Sequence, residues 1–139
     1  MKILITGGAG FVGTNLSRHL LARGHDVKIL DDLSSGLESN VPDGAQFFKG
    51  SIVDAQLVKQ TIAGADAVVH LGARGSVPRS IKNPIATHEV NATGTLNVLE
   101  VARTSGAHVV FSSSSSVYGR NMQLPKDESM WLGPMTPYA

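Results

Sequence analysis

Cysteine is absent from the 139 residues, which excludes a disulfide scaffold, a thiolate nucleophile and any Cys-ligated zinc or iron–sulfur site. Long hydrophobic runs are missing too. None approaches the roughly 18 residues that mark a membrane-spanning helix, and Met1-Lys2-Ile3-Leu4-Ile5-Thr6 leads straight into glycines, so the N-terminus is read as a first strand and not as a signal peptide. Both absences fit a cytoplasmic location. Neither sign of charge dominates: 12 Lys and Arg face 11 Asp and Glu, a formal charge of +1, spread along the chain. This gives no electrostatic basis for nucleic acid or an anionic membrane as partner. His19, His25, His70, His88 and His108 show no ligand spacing, and no metal is assigned.

Aromatics are scarce, with one Trp, two Tyr and four Phe against 15 glycines. Together with apolar runs of Val, Ile, Leu and Ala, this suits an α/β protein better than a sandwich or a bundle. At 42% apolar residues the chain can build one sizeable core, and 1–139 is expected to form a single domain. Short apolar runs at 3–6, 27–31, 46–49, 67–71 and 109–112 read as strands buried on both faces. Between them, amphipathic patterns predict helices over 11–23, 55–63 and 84–104, with a loop over 74–83. In the first helix Val12, Leu16, His19 or Leu20, and Arg23 follow the three-to-four spacing, and Gly24 ends it. In the last, Pro84 suits the first turn, Ile85, Ala92, Leu96 and Leu99 make an apolar stripe, and Gly106 closes it. Strands alternating with helices imply a doubly wound parallel sheet with right-handed crossovers. Thr136-Pro137-Tyr138-Ala139 reads as an N-cap, a first-turn proline and the opening of a helix, which predicts a fragment of a longer chain.

Thr6-Gly7-Gly8-Ala9-Gly10-Phe11-Val12-Gly13 places glycines at 7, 10 and 13 between a strand and a helix. This is the context of a dinucleotide-binding loop, its first spacing widened by one residue. Gly7 lets the chain turn, Gly10 lets backbone N–H groups approach a pyrophosphate, and Gly13 lets the helix pack close to the strand. The helix N-terminus adds unpaired donors and a positive dipole end. Three glycines alone are also ordinary turn chemistry. Asp31 ends the second strand 18 residues past Gly13, where a carboxylate accepts hydrogen bonds from both adenosine ribose hydroxyls and repels a 2′-phosphate. No Arg follows within 32–36, so NAD is favoured over NADP. Asp31 or Asp32 alternatively caps a turn; Asp31 is preferred for the ribose because it directly ends the apolar run.

The chain resembles the NAD-dependent nucleotide-sugar epimerase/dehydratase family of extended short-chain dehydrogenases. The match rests on the glycine loop, on Leu30-Asp31-Asp32, Val69-His70-Leu71-Gly72-Ala73 and Asn91-Ala92-Thr93-Gly94-Thr95, on the segment from Phe111 through Ser112, Ser113, Ser114, Ser115, Ser116, Val117 and Tyr118 to Gly119, and on Thr136-Pro137-Tyr138. The segments come in order and cover essentially the whole sequence. The resemblance implies a Rossmann-type fold, truncated before the C-terminal substrate-binding part. It makes Ser114 the catalytic Ser or Thr and Tyr138, 24 residues on, the tyrosine of a Tyr-x-x-x-Lys motif whose lysine falls outside this sequence. In the family that lysine holds the nicotinamide ribose and lowers the tyrosine pKa. The implied cofactor contacts are Gly7, Gly10, Phe11, Val12, Gly13, Asp31, Asp32, Ser51, Ile52, Leu71, Gly72, Ala73, Asn91, Ser112 and Tyr138. Ser51 departs from the pattern, since the family usually has Asp there to bond the adenine amino group. Arg79 falls in a loop that faces substrate in the family, with a solvent-exposed role as the alternative, and Tyr118 is taken as structural.

Family members whose next two residues after the catalytic Ser/Thr are Asp-Glu carry out 4,6-dehydration, and decarboxylases of the UDP-xylose type usually place Glu second. Here the two are Ser115 and Ser116, so elimination has no visible acid or base. Epimerisation at C4 needs none, and the resemblance is strongest to UDP-glucose/UDP-galactose 4-epimerases. A UDP-sugar substrate and a homodimer formed through a helical bundle follow from that resemblance. The alternatives are a related reductase or 4,6-dehydratase, or, for this sequence alone, a non-catalytic NAD-binding module.

Overall fold

The computed structural model describes all residues, 1–139. Strand β1 (Lys2–Thr6) lies at the centre of a wholly parallel sheet. On one side it pairs with β2 (Asp26–Asp31), which carries β3 (Gln46–Lys49); on the other it pairs with β4 (Ala67–His70), which carries β5 (His108–Phe111). The order β3-β2-β1-β4-β5 is the expected doubly wound arrangement. The chain moves outward from β1 to β3 and then crosses to β4, so the direction reverses at the β1–β4 pair. Crevices for ligands open at the carboxyl ends of strands at such a reversal.

Alternation along β1 splits the core in two. Leu4 faces the layer of α2 (Ala55–Ile62) and α5 (Thr95–Ser105), packing with Leu30, Val58, Ile62, Val68 and Val98. Ile3 and Ile5 face the other way with Val27 and Ile29, against Leu16, Leu20 and Leu21 of α1 (Phe11–Ala22). Leu4 is wholly buried at the centre of the first cluster. Leu4→Ala is expected to lower unfolding stability by about 2–5 kcal/mol, read as a shift in the denaturant midpoint. No helix is long and apolar enough to cross a membrane.

The segment read as a loop over 74–83 holds a helix, α3 (Val77–Lys82), capped by Ser76 Oγ accepting from the Arg79 amide at 3.3 Å. Six residues are too few to show a helical period, although the cap and Pro78 in the first turn were visible. The helix expected over 84–104 comprises α4 (Pro84–His88), a π-helical stretch (Glu89–Gly94) and α5. Its apolar stripe points outward: Ile85, Leu96 and Leu99 are exposed, while Thr87, Gly94, Val98 and Ala102 are buried. Small residues make this packing face because they let the helix approach closely; a Cβ on Gly94 would stand 2.7 Å from Ile52 side-chain atoms. In α1, Val12 and Arg23 are exposed, while Gly13, Thr14 and Ser17 form the buried seam. Strand β5 is not covered on both faces, since Val110 and Phe111 are half exposed. The two glycine stops stand as expected, with Gly24 and Gly106 both at positive φ.

Candidate functional site

The glycine loop leaves β1 at the sheet reversal, and its glycines at 7, 10 and 13 are each needed for a different reason. Gly7 has φ +69°, and a Cβ on it would meet the Gly72 amide nitrogen at 2.8 Å. Gly13 packs so closely on the loop that a Cβ would lie 2.5 Å from both Gly7 O and Gly8 Cα. At Gly10 a Cβ would meet only Gly7 O, at 3.3 Å. There the missing side chain leaves open space over the start of α1. Phe11, Val12 and Gly13 begin α1 without a capping side chain, and their N–H groups have no acceptor within the chain. Such donors, at the positive end of a helix dipole, suit a phosphate.

Asp31 organises the neighbouring lip. Its buried carboxylate accepts from the Ala9 amide at 2.9 Å and from the Leu33 amide at 2.8 Å. It thereby ties the glycine loop to the turn after β2, where Leu33 is the one non-glycine residue at positive φ. A Cβ on Gly36 would meet the Ala9 carbonyl carbon at 2.8 Å, and Asn40 Nδ2 donates to Ala9 O at 3.0 Å. Each carboxylate oxygen retains a second lone pair. Asp32 is exposed and accepts from the Ser34 amide, the turn-capping role weighed for either residue.

These elements surround a cleft of about 600 Å³. Every residue expected at the cofactor lines it except Asn91 and Tyr138. Leu30, Ser34, Ser35, Gly50, Arg74, Gly75, Arg79 and Val90 line it too; of these, only Arg79 carried an expectation from the sequence. At the far end, Ser51 Oγ accepts from the Val53 amide at 3.2 Å, which leaves its hydroxyl proton free. Asn97 holds that turn by donating to the carbonyls of Ile52 and Val53.

Asn91 grips the opposite lip without facing the cleft. Its Oδ1 accepts from the Arg74 amide at 2.7 Å and its Nδ2 donates to the Arg74 carbonyl at 3.3 Å. His70, at the end of β4, is 1% exposed, and burial pushes its pKa from 6.5 down to about 4. The ring is therefore neutral at pH 7. Between pH 6.5 and 4 the unfolded chain binds the proton that the folded chain refuses, so this stabilisation is complete above pH 6.5 and is lost as pH falls through 4.

Ser114 lies in an adjoining hollow of about 340 Å³ with Ser113, Ser115, Tyr118, Lys126, Asp127 and Glu128. The serine run is no loose loop. Ser114 caps a 3-10 turn (Ser115–Tyr118) by accepting from the Ser116 amide at 3.2 Å, which leaves its hydroxyl proton free to donate. The two carboxylates near it come from a stretch that carried no expected role. Asp127 is committed to Ser129, whose N–H and O–H it accepts, and these bonds pull its pKa down. Tyr138 is half-buried. Its hydroxyl approaches cleft-lining Gly75, standing 4.0 Å from where a Cβ on that residue would be. Thr136 Oγ1 accepts from the Ala139 amide at 3.2 Å, the bond expected of an N-cap, with no helical turn formed within 136–139.

A doubly wound sheet with a glycine loop, a strand-ending acid and a cleft at the reversal defines a dinucleotide-binding type of protein. Residues 3–139 match the model of the NAD dependent epimerase/dehydratase family, and the chain belongs to that family. It is 42% identical to a UDP-glucose 4-epimerase of Mycolicibacterium smegmatis, over 100% of this chain and 47% of the relative. A UDP-glucuronic acid decarboxylase 1 of Danio rerio is 36% identical over 99% of this chain and 34% of its own length. Among solved structures, the UDP-glucose 4-epimerase of Thermus thermophilus in complex with NAD superposes with a TM-score of 0.93 at 37% identity, covering 99% of this chain and 46% of that one. The chain spans less than half the length of these relatives.

Proposed function

We propose that the protein is an NAD-dependent nucleotide-sugar 4-epimerase acting on a UDP-sugar of the glucose/galactose type. The observation that carries this choice within the family is Ser115-Ser116 directly after Ser114, where a dehydratase or decarboxylase would place carboxylates. Asp127 supplies no substitute acid, because its bonds to Ser129 hold it ionised.

The donors of Phe11, Val12 and Gly13 would hold the pyrophosphate, Asp31 the adenosine ribose, and Ser51 with Ile52 the adenine. NAD, when bound, supplies a reversible hydride acceptor at the sugar C4. Tyr138 is the proposed base for the proton of the sugar O4, and Ser114 would donate a hydrogen bond to the same oxygen. Tyr138 would hold that proton and return it to O4 of the epimerised sugar. The exposed apolar residues Ile81, Ile85, Leu96 and Leu99 are the proposed packing surface for a second copy of the chain.

Interconversion of UDP-galactose and UDP-glucose by the purified protein, with no net consumption of NAD, tests the reading. Release of water or carbon dioxide from the sugar instead would overturn it in favour of the dehydratase or decarboxylase branch. At the ribose subsite, Asp31→Ala is expected to weaken NAD by roughly ten- to hundredfold, since hydrogen bonds to a charged group contribute about 1.5–3 kcal/mol. The same change should narrow the preference for NAD over NADP; competitive titration of both checks it.

A further inference from the structure

His70 joins two grips on the loop that forms one lip of the cleft. The Gly72 amide donates to Thr6 Oγ1 at 3.1 Å, and Thr6 Oγ1 lies 2.6 Å from His70 Nδ1. On the other side of the ring, His70 Nε2 lies 2.9 Å from Thr95 Oγ1, and Thr95 Oγ1 donates to the Asn91 carbonyl at 2.6 Å. Asn91 in turn holds both backbone groups of Arg74. Leu71, Gly72, Ala73 and Arg74 all line the cleft.

The protons in this chain can be assigned. A carbonyl only accepts, so the Thr95 proton points at Asn91, and the Thr95 oxygen must accept from His70 Nε2–H. Thr6 Oγ1 accepts from Gly72, and His70 Nδ1 is the one acceptor in reach of its proton. Every donor and acceptor is matched by the neutral ring with its proton on Nε2. The other neutral tautomer would set the Nε2 lone pair against a Thr95 lone pair, and a charged ring would leave the buried Thr6 proton without an acceptor. The π-helical stretch makes this arrangement possible: it carries Asn91, and Thr95 follows at its end. Such stretches recur at functional positions.

We propose that His70 is a positioning residue for the dinucleotide, its Nε2–H tautomer linking Thr6 to Thr95 so that residues 71–74 are held in the shape the cofactor meets. This rests on the cleft being an NAD site. The test pairs the imidazole 15N spectrum of histidine-labelled protein with NAD titration by calorimetry, on the natural protein and on Thr95→Val and Thr95→Ser. In the natural protein His70 should show a pyridine-type Nδ1 and a pyrrole-type Nε2 at neutral pH. Thr95→Val, which keeps the shape but removes the acceptor, should draw the two resonances together and weaken NAD roughly five- to hundredfold. Thr95→Ser should restore both. A proton on Nδ1 in the natural protein overturns the proposal without any variant being needed. Unchanged NAD affinity in a folded Thr95→Val overturns it as well, while leaving the NAD site intact. A natural protein with the expected spectrum that takes up no NAD removes the functional reading on which the proposal stands.

Discussion

Tyr138→Phe is expected to reduce the turnover of UDP-galactose by about 10²–10⁴-fold, the usual contribution of a positioned acid or base. The substitution removes one oxygen and keeps the half-buried ring, so folding should be preserved. The loss belongs in kcat, because the proton of the sugar O4 then has nowhere to go as hydride leaves C4. Ser114 cannot take over. Its hydroxyl can donate to the sugar oxygen, but one of its two lone pairs is engaged by the Ser116 amide, and a serine hydroxyl with no adjacent base is a poor proton acceptor. Steady-state kinetics beside an NAD titration separates the outcomes: NAD affinity kept within a few fold with kcat collapsed is the expected pattern. Equal losses in both would make Tyr138 a packing residue.

The second large effect is expected at Gly13. An alanine there places its Cβ 2.5 Å from Gly7 O and from Gly8 Cα. Both contacts are backbone, with no flexible side chain to swing away, so α1 must move off the loop. Moving it also withdraws the N–H groups of Phe11, Val12 and Gly13 from the proposed phosphate position. Overpacking of this kind costs about 1–3 kcal/mol; taken wholly from binding, it weakens NAD by roughly five- to hundredfold. Gly24→Ala is the control. Nothing lies within 4 Å of its Cβ, and it differs in having only the strain of φ +76°, so it should lower stability without changing NAD affinity. Calorimetry on both variants, with thermal melts, distinguishes the two effects.

Where local rules operate, the sequence was legible. Ile3 to Ile5 followed by glycines and a helix start specify β1, its turn and α1, and a carboxylate closing the next apolar run identifies Asp31. The strand pattern fixed the doubly wound sheet for the same reason, since buried parallel strands are continuous apolar runs. The long helix was misread in orientation, because its buried face is built from Thr87, Gly94 and Ala102 and its bulkier apolar residues are left outside. Periodicity reports where large apolar residues recur, and here close approach mattered more. The Leu33 turn was not legible either: a leucine carries no sign of positive φ, which the Asp31 carboxylate enforces from two residues away. Asn91 was placed at the site by resemblance, but its grip on Arg74 needed the folded chain. His70 gave the least warning, since its partners at 6 and 95 are joined only by the meeting of β1, β4 and α5.

The cleft at the β1–β4 reversal is proposed to take NAD, with Asp31 on the adenosine ribose. Parallel calorimetric titrations of nucleotide-free protein with NAD and with NADP test it most directly. One saturable site for NAD is expected, with binding of NADP at least about tenfold weaker, since a 2′-phosphate would bring negative charge onto the Asp31 carboxylate. Equal affinity for the two, or no heat from NAD at all, would contradict it.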